Sequence, residues 1–298
     1  MTVSEPRRAT TPAELQAKLD RLVSEAGLAA GLGFVPRPSD VIIAPYAKCG
    51  TTWLQQMVHS LRTGGDLDFD DISRVVPWIE TAADLGLDLD GAQRGEPRAF
   101  KSHLSYDRVP AGARYIVSVR DPRDALVSAY RFFEGWFFEP GSIDIDTLGR
   151  MRFVEGRTYY THLTSWWPHR HDANVLLLAY EHMKDDHEGT VRRVAEFIGF
   201  GGDDERIAIA CQESSLASMK AHHDKYDDLM MRERSELVCD LPLGSDSSKV
   251  RSGEVGAHRA ELSASLATEL DATWGETITA HLGIQSYETL LGVLATGR

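Results

Sequence analysis

The chain has 298 residues, enough for one large domain with a real core. Apolar residues make up 42% and charged residues 26%, which excludes a disordered or fibrous chain. Lys plus Arg number 32 against 45 Asp plus Glu, a formal net charge of −13 that argues against nucleic acid or an anionic membrane as a broad partner.

In chain order, Thr11-Pro12-Ala13-Glu14 reads as a capping box with Pro at the first helical position, followed by Leu15, Leu19, Leu22 and Val23 as a stripe stopping near Gly27. Val41 to Ala44 is a β-branched apolar run, a strand covered on both faces. Trp53, Leu54, Met57, Val58 and Leu61 then recur at helical spacing, so Lys48 to Thr52 joins a strand to a helix. Tyr115 to Val119 and Val175 to Tyr180 are two more strands, followed by helices over Ala125 to Phe133 and around Val191 to Ile198. Strands alternating with helices predict an α/β fold with a central parallel sheet, whose ligands sit at the carboxyl ends of the strands. Residues 221–249 read as a long, charged, irregular lid or binding loop, and Leu262, Leu266, Leu270 and Trp274 as the final helix. No boundary cuts the chain, so 1–298 is taken as one domain, with 1–39 as its N-terminal helix and lead-in.

The start shows no signal peptide, and the apolar runs are far shorter than the ~20 residues a membrane helix needs. Three cysteines, Cys49, Cys211 and Cys239, form no paired spacing; this fits a reducing cytoplasm and excludes a disulfide framework. Asp88, Asp90 and Gly91 lack the partners of a calcium loop, and His169, His171, His222 and His223 lack partner metal ligands.

Gly50-Thr51-Thr52 at a helix N-terminus offers backbone N–H groups, two hydroxyls and a positive dipole end to an anion, with Lys48 adding a full charge. An ordinary capped helix would read the same way. An ATPase loop places Lys after its last Gly, but Thr51 stands there and Lys48 precedes Gly50. Lys101 and His103, two apart, would share one face of a strand.

Ala44-Pro45-Tyr46-Ala47-Lys48-Cys49-Gly50-Thr51-Thr52-Trp53 resembles the 5′-phosphosulfate loop of the cytosolic sulfotransferases, Y-P-K-S-G-T-T-W. Tyr115 to Tyr130 is similar to their 3′-phosphate segment, Arg251-Ser252-Gly253-Glu254-Val255-Gly256 to their R-K-G-x-x-G signature, and Pro97 to Leu104 to their P-R-x-x-K-T-H-L. The resemblance implies a P-loop nucleotide-kinase-like sulfotransferase fold that uses 3′-phosphoadenosine 5′-phosphosulfate (PAPS) as co-substrate and no metal. Carried over residue by residue, it implies His103 as general base and Lys48 and Lys101 as cations of the reacting centre. Lys48, Cys49, Gly50, Thr51 and Thr52 would hold the 5′-phosphosulfate; Arg120, Ser128, Arg251, Ser252 and Gly253 would hold the 3′-phosphate; Trp53, Tyr180 and Ser214 would meet the base. Ser252 departs from the usual Lys, Cys49 from Ser, and Leu216 from Phe in the T-S-F-x-x-M-K segment. A thiol at a helix N-terminus beside Lys48 could ionise easily, although a small residue filling a tight loop explains Cys49 as well.

Val75 to Glu80 is similar to the family's V-P-F-L-E, which makes Trp78 an acceptor-site aromatic; Phe132, Phe133, Trp136, Phe137 and Phe138 add to it, and Met230 and Met231 would cover it from the loop. Such a pocket suits a small, largely apolar acceptor carrying a hydroxyl or amine. Oligomeric state has no signature. Two rival readings are a kinase-like phosphoryl transferase and a nucleotide-binding module without turnover.

Overall fold

The computed structural model describes residues 5–250 and 253–296. Four parallel strands, β1 (Val41–Ile43), β2 (Ala99–Lys101), β3 (Arg114–Val119) and β4 (Val175–Ala179), form one sheet in the order β2-β1-β3-β4. Ile42 pairs with Phe100 on one side and Tyr115 on the other, and Val117 with Leu177. Successive side chains alternate between two cores, as the pleat requires. Ile42, Phe100, Tyr115, Val117 and Leu177 pack on one face, and Val41, Ile43, Ala99, Ile116 and Leu178 on the other. Helices cover both faces, so all three β1 side chains are fully buried. This is why the strands read as continuous apolar runs.

Local chemistry sets most helix ends. Thr11 Oγ1 accepts from Glu14 N at 3.3 Å and opens the Pro12–Leu22 helix. That helix stops before Val23, short of Gly27, because Ser24 caps a separate helix, Glu25–Leu32, through Gly27 N at 2.9 Å. Asp121 caps Pro122–Phe133 through Arg123 N at 2.9 Å, three residues earlier than the apolar stripe indicated. Tyr180, expected to end a strand, instead opens the Tyr180–Asp185 helix. The His187–Ile198 helix ends as expected at Gly199, whose φ is 102°.

Two expectations are corrected. Residues 221–249 are not an irregular loop, since they contain a short turn at His223–Tyr226 and the Leu229–Val238 helix. The start of that helix is tied down by a distant residue: Asp71 accepts from Met230 N at 3.0 Å, while Asp228 just before it sits in left-handed backbone at φ 51°. The helix Ala264–Trp274 is not the last, and Leu262 lies outside it; Tyr287–Thr296 follows. Tyr287 on that final helix donates to Glu181 Oε2 at 2.5 Å, which ties it to the first turn of the Tyr180–Asp185 helix that follows β4. Among the described residues, no helix is long and apolar enough to cross a membrane.

Candidate active site

The carboxyl ends of the strands open into one cavity of about 720 Å³. Its first wall is the loop between β1 and the Thr51–Thr63 helix. Lys48 (φ 68°) and Gly50 (φ 97°) both take left-handed backbone. At Gly50 this matters doubly, because an added Cβ would lie 3.1 Å from the Tyr180 ring. No side chain caps the helix, so its first-turn N–H groups remain open to a ligand.

Arg120, at the end of β3, binds this loop to the far side of the cavity. Its Nη1 donates to the Lys48 carbonyl at 3.2 Å and its Nη2 to the Glu254 carbonyl at 2.8 Å, with the guanidinium 4.3 Å above the Tyr180 ring. Among the described residues, the buried Thr51 Oγ1 and Arg120 Nε have no hydrogen-bond partner. A buried hydroxyl left open at an uncapped helix start fits one oxyanion of phosphate or sulfate type, and a buried guanidinium N–H left open beside Tyr180 fits a second. Thr52 and Ser128 line the same cavity. Gly253 lines it too, its carbonyl accepting from Lys184 Nζ at 2.8 Å. Arg251 and Ser252 lie outside the described residues.

Cys49 is fully buried, and burial pushes its thiol up to about 12, the opposite of an activated cysteine. It fills space under the loop, where its carbonyl accepts from Ser118 Oγ. Trp53 Nε1 donates to the Ser214 carbonyl at 2.7 Å, and its ring meets Tyr180 at 5.8 Å and His187 at 5.4 Å. Ser214 does not line the cavity. It is buried behind Trp53, donates to Ala210 O at 2.6 Å and lies 2.9 Å from His187 Nε2, while Ser215 and Leu216 form the wall.

Lys101 closes β2, and His103 lies two residues past the strand's end. The two nevertheless converge on Trp78: Lys101 Nζ is 4.1 Å from its ring centre, and the imidazole is 5.3 Å away. His103 Nδ1 is 2.8 Å from the Pro45 carbonyl. A carbonyl can only accept, so Nδ1 carries the proton and Nε2 is the basic nitrogen. Glu80 Oε1 accepts from His103 N at 2.7 Å and fixes the backbone. Burial, helped by the Lys101 charge, holds the imidazole well below its ordinary range, so it is uncharged near neutrality. Burial also lowers Lys101 to about 8. Lys48 Nζ sits 3.7 Å over the Phe132 ring, which joins the loop to the aromatic end of the cavity.

At that end Trp78, Phe132, Phe133, Trp136 and Phe137 form the wall. Of the two methionines expected there, Met231 lines the cavity while Met230 does not, its backbone being held to Asp71; Phe138, also expected, is buried in the core and not part of the wall. Leu19 and Leu22, two residues of the N-terminal stripe, also reach the cavity, as do the buried ion pair Asp228–Lys249 and Arg131 and Arg152. The Leu stripe was visible in the sequence, but nothing in it told where the stripe docks. Arg131 pairs with Glu261.

Residues 38–281 match the family model for the sulfotransferase domain. Sulfotransferase 2A1 of Rattus norvegicus is 33% identical over 214 residues, covering 67% of this chain and 73% of the rat protein. Luciferin sulfotransferase of Photinus pyralis is 28% identical over 275 residues, covering 80% of this chain and 71% of the firefly protein. A solved retinol dehydratase, in complex with androsterone and the inactive cofactor PAP, has the same fold, with a TM-score of 0.69 at 20% identity over 91% of this chain and 95% of that one.

Proposed function

The chain belongs to the sulfotransferase domain family and is a sulfotransferase; from that premise we propose that it moves the sulfuryl group of PAPS onto a hydroxyl or amine of a small, largely apolar acceptor. The observation that carries the mechanism is the Pro45 carbonyl on His103 Nδ1, which leaves Nε2 as the base beside Lys48 and Lys101. The acceptor oxygen forms its bond to sulfur as the bond from sulfur to the 5′-phosphate oxygen breaks in line behind it. The acceptor proton goes to Nε2, and the electron pair of the broken bond goes to the departing 3′,5′-adenosine bisphosphate. Lys48, Lys101 and the open first turn at Thr51 and Thr52 offset the charge that grows on the bridging and sulfonate oxygens.

The donor's two ends have separate supports. The loop from Lys48 to Trp53 suits the 5′-phosphosulfate. Arg120, Ser128 and Gly253 suit the 3′-phosphate, because a guanidinium fork matches phosphate oxygens and keeps its charge. Trp53 and Tyr180 offer ring surface to the base, and Ser214 supports Trp53 from behind. Trp78, Phe132, Phe133, Trp136 and Met231 give the acceptor an apolar bed, and the 221–249 segment supplies the last of these as its cover. No step requires a metal.

Thermal shift with 3′,5′-adenosine bisphosphate against ATP-magnesium tests the donor class. Stabilisation by the bisphosphate is expected; stabilisation by ATP-magnesium alone would sink the reading in favour of phosphoryl transfer. Turnover of labelled PAPS with a panel of phenols and alcohols then separates an enzyme from a binding module.

A further inference from the structure

Asp228 and Lys249 form an ion pair with only 5% and 8% of their side chains exposed, and both line the cavity with Lys48, Lys101 and His103. Taking two charges out of water carries a desolvation penalty that can exceed their mutual attraction, so stability alone is a weak reason for the pair. The fold also goes to some length to make the pair. Asp228 occupies left-handed backbone at φ 51°, and the chain around Lys249 is clasped to the residue before it, with Lys249 N donating to Asp227 Oδ1 at 3.2 Å and Ser247 Oγ donating to the Asp227 carbonyl.

We propose that Lys249, held in place by Asp228, is a further ammonium of the reacting centre, facing the sulfonate in transfer together with Lys101. This deepens the sulfuryl-transfer reading and rests on it. An anionic carboxylate beside the path of an anionic sulfonate would oppose the reaction if it stood alone, so its cation must be present and fixed. The pair is neutral by itself. When the sulfonate approaches, the ammonium can turn its remaining N–H groups to the sulfonate oxygens while Asp228 keeps one.

Charges in the neighbourhood agree with this placement. Besides burial, Lys101 is held down by Lys249, against the pull of Asp228, Glu80 and Asp71. His103 is held down by burial, Lys101, His162 and Lys249. Burial would raise Asp228, but Lys249, Lys101 and Lys48 together keep it ionised. Lys249 therefore acts on the same two groups that the transfer uses.

The test uses the full chain, PAPS and naphthol as a neutral acceptor. Lys249→Met should lower kcat about 10–100-fold with the stabilisation by 3′,5′-adenosine bisphosphate unchanged, since that product carries no sulfonate. It should also move the alkaline limb of kcat/KM upward, because removing a neighbouring positive charge strengthens proton binding at Lys101. Lys249→Arg should restore most of the rate. The double variant Asp228→Asn/Lys249→Met removes the orphaned carboxylate and should recover part of the loss while staying below the parent. Wild-type kcat in the double variant would overturn the proposal, since Lys249 would then serve only to neutralise Asp228. So would Lys249→Met turnover within twofold of the parent with an unmoved limb. A parent enzyme that binds the bisphosphate yet transfers nothing to any acceptor would instead count against the transferase reading itself.

Discussion

The two ends of the cavity are built differently. The donor end is backbone and fixed charge: a left-handed Gly50, an uncapped helix start, and one guanidinium that bonds two carbonyls and stacks on Tyr180. The acceptor end is side-chain surface gathered from the N-terminal helix, the Pro122–Phe133 helix and the segment around Met231. A phosphosulfate and a separate 3′-phosphate need many hydrogen-bond donors at set positions, which short stretches of loop can supply. An apolar acceptor needs only area and shape, which any residue of roughly the right volume provides. Substitutions should therefore divide cleanly between donor affinity, acceptor affinity and the step where the two ends meet.

The largest effect belongs to the meeting point. Replacing His103 with Ala should cut kcat by about 10²–10⁴-fold, the usual worth of a positioned base, with bisphosphate stabilisation retained. A variant that turns over near the parent rate at neutral pH would remove His103 from the mechanism and blur the division. Next comes a substitution confined to the donor end. Arg120→Ala should weaken the bisphosphate roughly 10–150-fold, taking about 1.5–3 kcal/mol for lost bonds to a charged group. Acceptor KM at saturating PAPS should stay within a factor of two. Because Arg120 also bridges the Lys48 and Glu254 carbonyls, Arg120→Lys should recover little: a single ammonium cannot reproduce the fork.

A smaller effect tests the acceptor end, where two adjacent residues should behave differently. Met231 both lines the cavity and packs in the core, whereas Met230 is buried away from the cavity with its backbone N–H held by Asp71. Met231→Ala removes three heavy atoms and should raise acceptor KM at least about fourfold, the worth of even one methylene of contact at ~0.8 kcal/mol, lower Tm because the side chain is also core, and leave bisphosphate affinity alone. Met230→Ala should leave both constants unchanged and lower Tm, since truncating a buried Met costs about 2–5 kcal/mol. Reversed roles would place the helix one residue out of register.

The same contrast explains what could be read in advance. The sheet and the donor loop were legible because their causes are local: β-branched runs between turns, and Lys48, Gly50 and Thr51 at a strand-to-helix junction. The segment 221–249 was misjudged because Asp71, more than 150 residues earlier in the chain, holds the first turn of its helix. Ser214 was placed at the base by its motif, yet its hydroxyl goes to Ala210 and its carbonyl to Trp53, and the wall falls to Ser215. Leu19 and Leu22 were legible as a helical stripe but not as cavity residues, and the Asp228–Lys249 pair gave no signal, since each enters the cavity only through tertiary docking. The Lys101–His103 pair survived its own premise: His103 is past the strand, but Trp78 brings both side chains together.

The smallest effect is a matter of pH, and its sign follows from the two groups at the meeting point. His103 must be uncharged to accept a proton, and its proton affinity is held well below the ordinary value of 6.5. Lowering pH through 6.5 should therefore leave kcat/KM flat, with the acid limb appearing only further down. Lys101 must be charged to meet the sulfonate, and burial brings it to about 8, so in the free enzyme its charge is present below that pH and lost above it. The alkaline limb of kcat/KM should accordingly fall near 8, costing about a factor of two at that pH. Bound PAPS adds negative charge beside Lys101 and raises its proton affinity, so the limb of kcat should lie at higher pH than the limb of kcat/KM. Coincident alkaline limbs would mean that Lys101 does not face the donor, and that the two ends of the cavity are joined by Lys48 and His103 alone.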